Sequence, residues 1–246
     1  MLSTLHRNTI FFISMVFLSG CMGFVEDNQS VINIDVDTDT NYGLIITSFE
    51  NGEETKRINP VIKFNFSNSS NVNEIEIFGI VPGDGRDPIT IEYSEGVEIE
   101  VEYSHHGLYE ITAFGIDKGG LQSNITIEII IEQTIDWYEN NTASPDVLVF
   151  DTTPGNNFPI PSYFVLNSSI QNPSILEIDG RDVDVKWNIE NHEGVCQTAN
   201  ENIQNGDTKN WKTMHFGPFS IHEIYLTIED GQDRINVHHN INIRYN

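Results

Sequence analysis

The residues of this 246-residue chain that could ligate a metal or move protons are eight histidines and 37 aspartates and glutamates. His222-Glu223-Ile224-Tyr225-Leu226 begins like a His-Glu-x-x-His zinc site but lacks the second histidine. Its alternating neighbours read as a strand, which sends adjacent side chains to opposite faces. The pairs His105-His106 and His238-His239 meet the same obstacle. His239 shares parity with Val237 and Ile241, so it is expected in a core. There is no Gly-x-Ser-x-Gly, P-loop or Cys-x-x-Cys. Nothing here assembles a nucleophile, and the expectation is a protein that binds and does not catalyse.

Carboxylates in turns are the remaining polar chemistry. They fall at Asp84 and Asp87, at Asp179, Asp182 and Asp184, and at Asp230 and Asp233. Such clusters at strand ends could hold Ca2+, or they could be solvated turns in which Asp caps backbone N–H groups. Asp35, Asp37 and Asp39 have the spacing of the first ligands of an EF-hand loop. Thr40 then stands where that loop needs Gly, and Ile46 where it needs the closing Glu. Ca2+ is therefore the one cofactor to test, and otherwise none is expected. Trp137, beside Tyr138, and Trp211 could each offer an aromatic binding platform or be ordinary packing. Acceptor sequons for glycosylation occur at Asn28, Asn65, Asn68, Asn124, Asn140 and Asn167.

Compartment and partners follow from charge and from Cys21. A formal net charge of −25 repels nucleic acid and anionic headgroups. Arg7, the apolar run Ile10 to Leu18 and then small residues have the layout of a secretory signal. Nine helical residues rise only about 14 Å, too short to span a bilayer. Leu18-Ser19-Gly20-Cys21 resembles the prokaryotic lipobox. That resemblance implies cleavage of residues 1–20, a lipid on the Cys21 sulfur and a mature chain held on the extracytoplasmic side of the cell membrane. Lipidation would leave Cys196 without a disulfide partner.

The elements that must position any site are strands. Ile62, Phe64 and Phe66 alternate with polar residues, as do Ile75 and Ile77, Val97 to Tyr103, and Ile125 to Ile131. This period of two predicts antiparallel sheets with one dry face. A second series starts at Val147 and includes Val183, Val185, Trp187 and Ile189, then Ile224 to Ile228, then Ile235 to Ile243. Each series has the length of one sandwich domain, about 100 residues. The expected layout is an acidic tether over 21–41, a β-sandwich over 42–133, a linker over 134–144 and a second sandwich over 145–246. An Asn-rich insertion is expected near 190–218.

Tyr109 to Asp117 resembles the "Y-x-V-T-x-x-V-x-D" strand of PKD-type, immunoglobulin-like surface domains. Gly83-Asp84-Gly85 resembles that family's turn, and Gly107-Leu108-Tyr109 supplies its Gly-x-Tyr after the aromatic Tyr103. Ile224 to Gly231 fits the same strand, with His222 in place of the tyrosine, and Trp187 is similar to the family's buried Trp. The first half lacks that Trp, the second lacks the Gly-Asp-Gly, and Gly115 stands at an inward position where the family has Val. The resemblance implies two immunoglobulin-like sandwiches in tandem, of the PKD or fibronectin III kind. A surface binding or adhesion module is then expected, with envelope proteins or surface glycans as partners. The alternatives are an envelope structural or assembly protein, a carbohydrate-binding accessory or a glycoside hydrolase.

Overall fold

In the computed structural model, residues 32–157, 159–174 and 181–245 are described. Strands follow one another in the order β1 (Asp37–Thr38), β2 (Tyr42–Glu50), β3 (Glu53–Ile58), β4 (Val61–Asn65), β5 (Ile75–Val81), β6 (Ile89–Glu92), β7 (Glu98–Glu102) and β8 (Gly107–Asp117). Next come β9 (Gln122–Thr142), β10 (Leu148–Asp151), β11 (Tyr163–Gln171), β12 (Val183–Asn191), β13 (Gly194–Ile203), β14 (Thr208–His215), β15 (Ile221–Gly231) and β16 (Ile235–Arg244). Among the described residues the one helical element is a single 3-10 turn, Val72–Glu74. The protein is all-β and its sheets are antiparallel, apart from the parallel pair β2 and β9.

The alternating pattern acts as expected: β7 buries Ile99 and Val101 and exposes Glu98, Glu100 and Glu102. In the first half, the sheet β1-β4-β7 packs over the sheet β9-β8-β5-β6. In the second, β10-β15-β12-β13 packs over β14-β11-β16-β9. Tyr109 opens β8, and its hydroxyl donates to the His105 carbonyl four residues upstream at 2.8 Å. This contact has the form of the tyrosine corner of immunoglobulin-like sandwiches. Gly83 turns at φ 79°, where a Cβ would meet the Glu110 carbonyl oxygen at 2.5 Å, so the turn requires glycine.

β9 joins the two halves. It is 21 residues long, pairing with β8 through Gln122–Ile131 and with β16 from Gln133 onward. β2 runs along Ile130–Tyr138, facing both partners across β9. Hence β8 and β16 lie end to end on one edge of β9, with β2 on the other. The stretch 134–144 is thus not a linker: residues 134–142 are strand, and Ile135 and Trp137 belong to the second core. Thr134, Asp136, Tyr138 and Asn140 face outward, whereas Glu139 is turned inward and buried, where it accepts from the Trp137 indole N–H.

Two other segments are also built differently from what their sequence suggests. The tether reading fails for residues 32–41. Ile32 and Ile34 are buried in the first core, with Val36 packed against it. Asn33 and Asp35 between them point to solvent, a period of two hidden by the overall polarity. Asp37 accepts from Asn68 Nδ2 and Asp39 from the Lys63 N–H, so the two aspartates serve strand pairing and not one loop. Ile34 also explains Gly115, where a Cβ would meet Ile34 Cδ1 at 2.4 Å. Nor is 190–218 an insertion. It supplies β13 and β14, the outer strands of the two facing sheets. Being edge strands, they bury few side chains, and their alternation is faint.

Candidate binding face

The inward residues of β9 and β16 fill the core, so the intervening residues line the opposite face of that sheet. Register places Thr134 opposite Asn242, Asp136 opposite Asn240 and Tyr138 opposite His238. On the far side of β16, Asn167 of β11 stands opposite Asn240 and Ser169 opposite His238. The parallel strand β2 sets Ser48 beside Asp136 and Glu50 beside Tyr138. At roughly 3.4 Å per residue, the row from Glu132 to Tyr138 is ~20 Å long.

These side chains are joined into one polar ladder. It starts at Glu132, which is only 6% exposed. Glu132 accepts from the Tyr42 hydroxyl at 2.9 Å and pairs with Arg244 Nη1 at 3.1 Å. Arg244 Nη2 and Thr134 Oγ1 both donate to Asn242 Oδ1, at 2.6 and 2.9 Å. Asn242 Nδ2 donates to Asn240 Oδ1 at 2.5 Å, and Asn240 Nδ2 to Asp136 Oδ1 at 2.7 Å. Each amide accepts at one end and donates at the other, which fixes its orientation. The row ends in an aromatic pair: Tyr138, 41% exposed, stacks on His238 with ring centroids 4.1 Å apart and planes 13° from parallel. Asp136 Oδ1 lies 3.6 Å from His238 Nε2. The result is a solvent-facing surface of fixed amides with an aromatic plate at one end.

Apart from Asn167, Tyr138 and His238, the residues named from the sequence lie elsewhere. Trp137 is no platform: it is buried, its indole N–H donates to Glu139 Oε1 at 2.9 Å, and its ring packs against Phe49. Parity on β9 decides this, turning Trp137 inward and its neighbour Tyr138 outward. Trp211 is half-buried between the two cores of the second half, 5.6 Å from Trp187. Asp84 is occupied by Arg86, whose guanidinium also donates to the Glu102 carbonyl and lies over the Tyr103 ring. Asp87 is exposed beyond them.

Asp184 accepts from Asn202 Nδ2, and Asp182 from the Asn205 N–H. Asp230 caps the Gly231 N–H, while Asp233 pairs with Arg181. Among the described residues no group of three His, Cys, Asp or Glu side chains is placed to hold a metal ion. Asp179, Cys21 and Asn28 lie outside the described residues. Of the sequons, Asn68, Asn124 and Asn140 are exposed, Asn65 is half-buried, and Asn167 belongs to the ladder, donating to Asn240 Oδ1.

The buried histidines act as structure. His222 lies on β15 against Phe150, with Nδ1 2.9 Å from the Ser220 carbonyl. His239 is in the core as its parity requires, and burial, with His238 nearby, pushes its pKa down to about 3. His106 bridges the halves: Nδ1 is 2.7 Å from the Tyr245 hydroxyl and Nε2 3.3 Å from the Asp151 carbonyl. A carbonyl only accepts, so Nε2 carries the proton and Nδ1 accepts from the tyrosine. Burial lowers this imidazole to about 4.

No family model and no curated protein matches the chain. Solved structures align weakly. One, described as "Structural basis for the promiscuous specificity of the carbohydrate-binding modules from the beta-sandwich super family", aligns over 87% of this chain and 97% of that chain. Its identity is 12% and its TM-score 0.33. Bacteroides uniformis beta-glucuronidase 2 aligns over 89% of this chain and 30% of its own, at 10% identity and TM-score 0.30. The CBM51-2 and INT domains of Clostridium perfringens ZmpB align over 85% and 48%, at 8% identity and TM-score 0.24. Similarities this weak say nothing of ligand or activity.

Proposed function

We propose that the protein is an extracytoplasmic binding module, held at the cell membrane by a lipid on Cys21, that presents the amide-rich face of β9 and β16 to a glycan. The observation that carries the ligand class is the ladder from Arg244 through Asn242 and Asn240 to Asp136, ending in the Tyr138–His238 stack. Glycan hydroxyls donate and accept at once, which matches side-chain amides and a carboxylate held in fixed orientation. The apolar face of a sugar ring matches an exposed aromatic plate. A flat sheet face suits an extended chain of sugars better than a small molecule, which needs a concave pocket. Binding requires no nucleophile, and the reading is of binding without turnover.

Support for the anchor is the apolar run ending in Leu18-Ser19-Gly20-Cys21. Labelling cells with a radioactive lipid precursor should mark the wild-type chain and leave Cys21→Ser unlabelled and released. Recovery of the intact chain from Met1 in the membrane for both would defeat the anchor. For the ligand, the full chain in detergent is applied to an array of neutral and acidic glycans. Retention of at least one glycan class, lost in Tyr138→Ala, is expected. Retention unaffected by Tyr138→Ala would place any binding elsewhere.

A further inference from the structure

A second site lies where the β12–β13 turn meets the end of β14. Asn191, Glu193, Gly194, Val195, Cys196, His215, Gly217 and Pro218 line a cleft of about 350 Å3 there. Two of its side chains carry buried nitrogens with no hydrogen-bond partner, Asn191 Nδ2 and His215 Nε2. Asn191 Oδ1 already accepts from the Glu193 N–H at 2.8 Å, so the amide orientation is set and Nδ2 is the free donor. The His215 ring is fixed by stacking on Phe164, with centroids 4.6 Å apart and planes within 4°. Burial and nearby His222 lower its pKa, which favours the neutral ring, and in its Nδ1–H tautomer Nε2 accepts. A buried donor and a buried acceptor left unpaired are costly, and a ligand carrying the complementary pair relieves both.

A peptide group is such a ligand, since its C=O accepts and its N–H donates. The backbone beside the cleft points the same way. β13 is the last strand of its sheet, so one edge of Gly194–Ile203 pairs with no strand among the described residues. Glu190 pairs with Val195 and Ile189 with Gln197, leaving Cys196 as the extra residue of a bulge at the mouth of the cleft. Val195 at 60% exposure and Phe216 at 71% offer apolar surface nearby. Charge selects the partner further. Glu193 lines the cleft and Glu190 pairs with Val195 beside it, and the chain itself carries −25.

We infer that this cleft, with the free edge of β13, takes an extended, positively charged segment of a partner polypeptide. Such strand addition draws affinity from backbone hydrogen bonds and specificity from alternate side chains. The site shares no lining residue with the amide-rich face, so it stands or falls independently of the glycan reading.

The probe is a blocked decapeptide of alternating Lys and Val, titrated into the full chain in detergent by calorimetry. Two companions are measured beside it: the same peptide N-methylated on alternate residues, and one with Glu in place of Lys. Saturable binding is expected, weakened at least tenfold by N-methylation, by the Glu peptide and by Asn191→Leu. His215→Phe keeps the ring stack and should also weaken it. If His215→Phe lowers the melting temperature, Asn191→Leu and the N-methyl comparison still decide. Absence of binding, or equal binding of the N-methylated peptide, overturns the inference. So does Zn2+ alone protecting Cys196 from alkylation, which would make the cleft a metal site.

Discussion

Ile34 and Gly115 fill one space between them, and exchanging their bulk gives a test of the N-terminal strand. Ile34 is 3% exposed, and its Cδ1 lies where a Gly115 Cβ would stand 2.4 Å away. Ile34→Ala removes three buried carbons and leaves a cavity, which costs about 2–5 kcal/mol. Gly115→Val adds three carbons against Ile34 and should cost about 1–3 kcal/mol through overpacking. Combined, the changes nearly conserve volume, because the carbons lost at 34 are those gained at 115. The double variant should therefore fall short of the sum of the singles by at least about 2 kcal/mol, the coupling expected of residues in contact. Equilibrium urea unfolding of the full chain, followed by tryptophan fluorescence, gives the four stabilities. Strict additivity would refute the contact and return residues 32–36 to a tether.

Three other outcomes follow from the same geometry. His106 and His239 have folded pKa values of about 4 and about 3, below the unfolded value of about 6.5. The unfolded state thus binds more protons below pH 6.5. Stability is full above that pH and falls as the solution is acidified toward 4, by up to about 1.4 kcal/mol per pH unit for each ring. Urea midpoints at pH 7.5, 6 and 5 should drop in that order, and a flat series would contradict the burial of both rings. Arg244→Met leaves Glu132 buried without its cation and should cost about 3–5 kcal/mol, much of it recovered in the Glu132→Gln/Arg244→Met pair. A 143–246 fragment lacks Ile135, Trp137 and Phe49, which pack in the second core. It should be unfolded by circular dichroism, and a cooperative melt would refute the shared role of β9.

The strands are legible where one face is buried and the other charged, as in β7. They are illegible where that contrast fades. Residues 32–36 hide two core isoleucines beside Asn33 and Asp35 in a polar stretch, and edge strands β13 and β14 bury too little to show a period. Residues 134–142 look like a linker because a sequence does not reveal that β9 passes from one core to the next. The amide-rich face is hidden for a related reason. Charged turns and tryptophans stand out in the sequence, whereas parity puts Trp137 inside and Tyr138 outside. A signal was present in His238, Asn240, Asn242 and Arg244, four successive outward positions filled by hydrogen-bonding groups with no carboxylate, in a chain with 37 acidic residues. What joins them to Asp136 and Thr134 is cross-strand register, which no local pattern contains.

The central claim is that the ladder on β9 and β16 recognises a glycan, and the direct measurement is affinity for one array-selected glycan in four forms of the full chain. These are wild type, Tyr138→Ala, Asn240→Ala and, as a surface control far from the ladder, Glu100→Ala. Removing the aromatic plate or the central amide should each weaken binding about tenfold, a loss of ~1.4 kcal/mol, with Glu100→Ala unchanged. Equal affinity in all four forms would contradict the account.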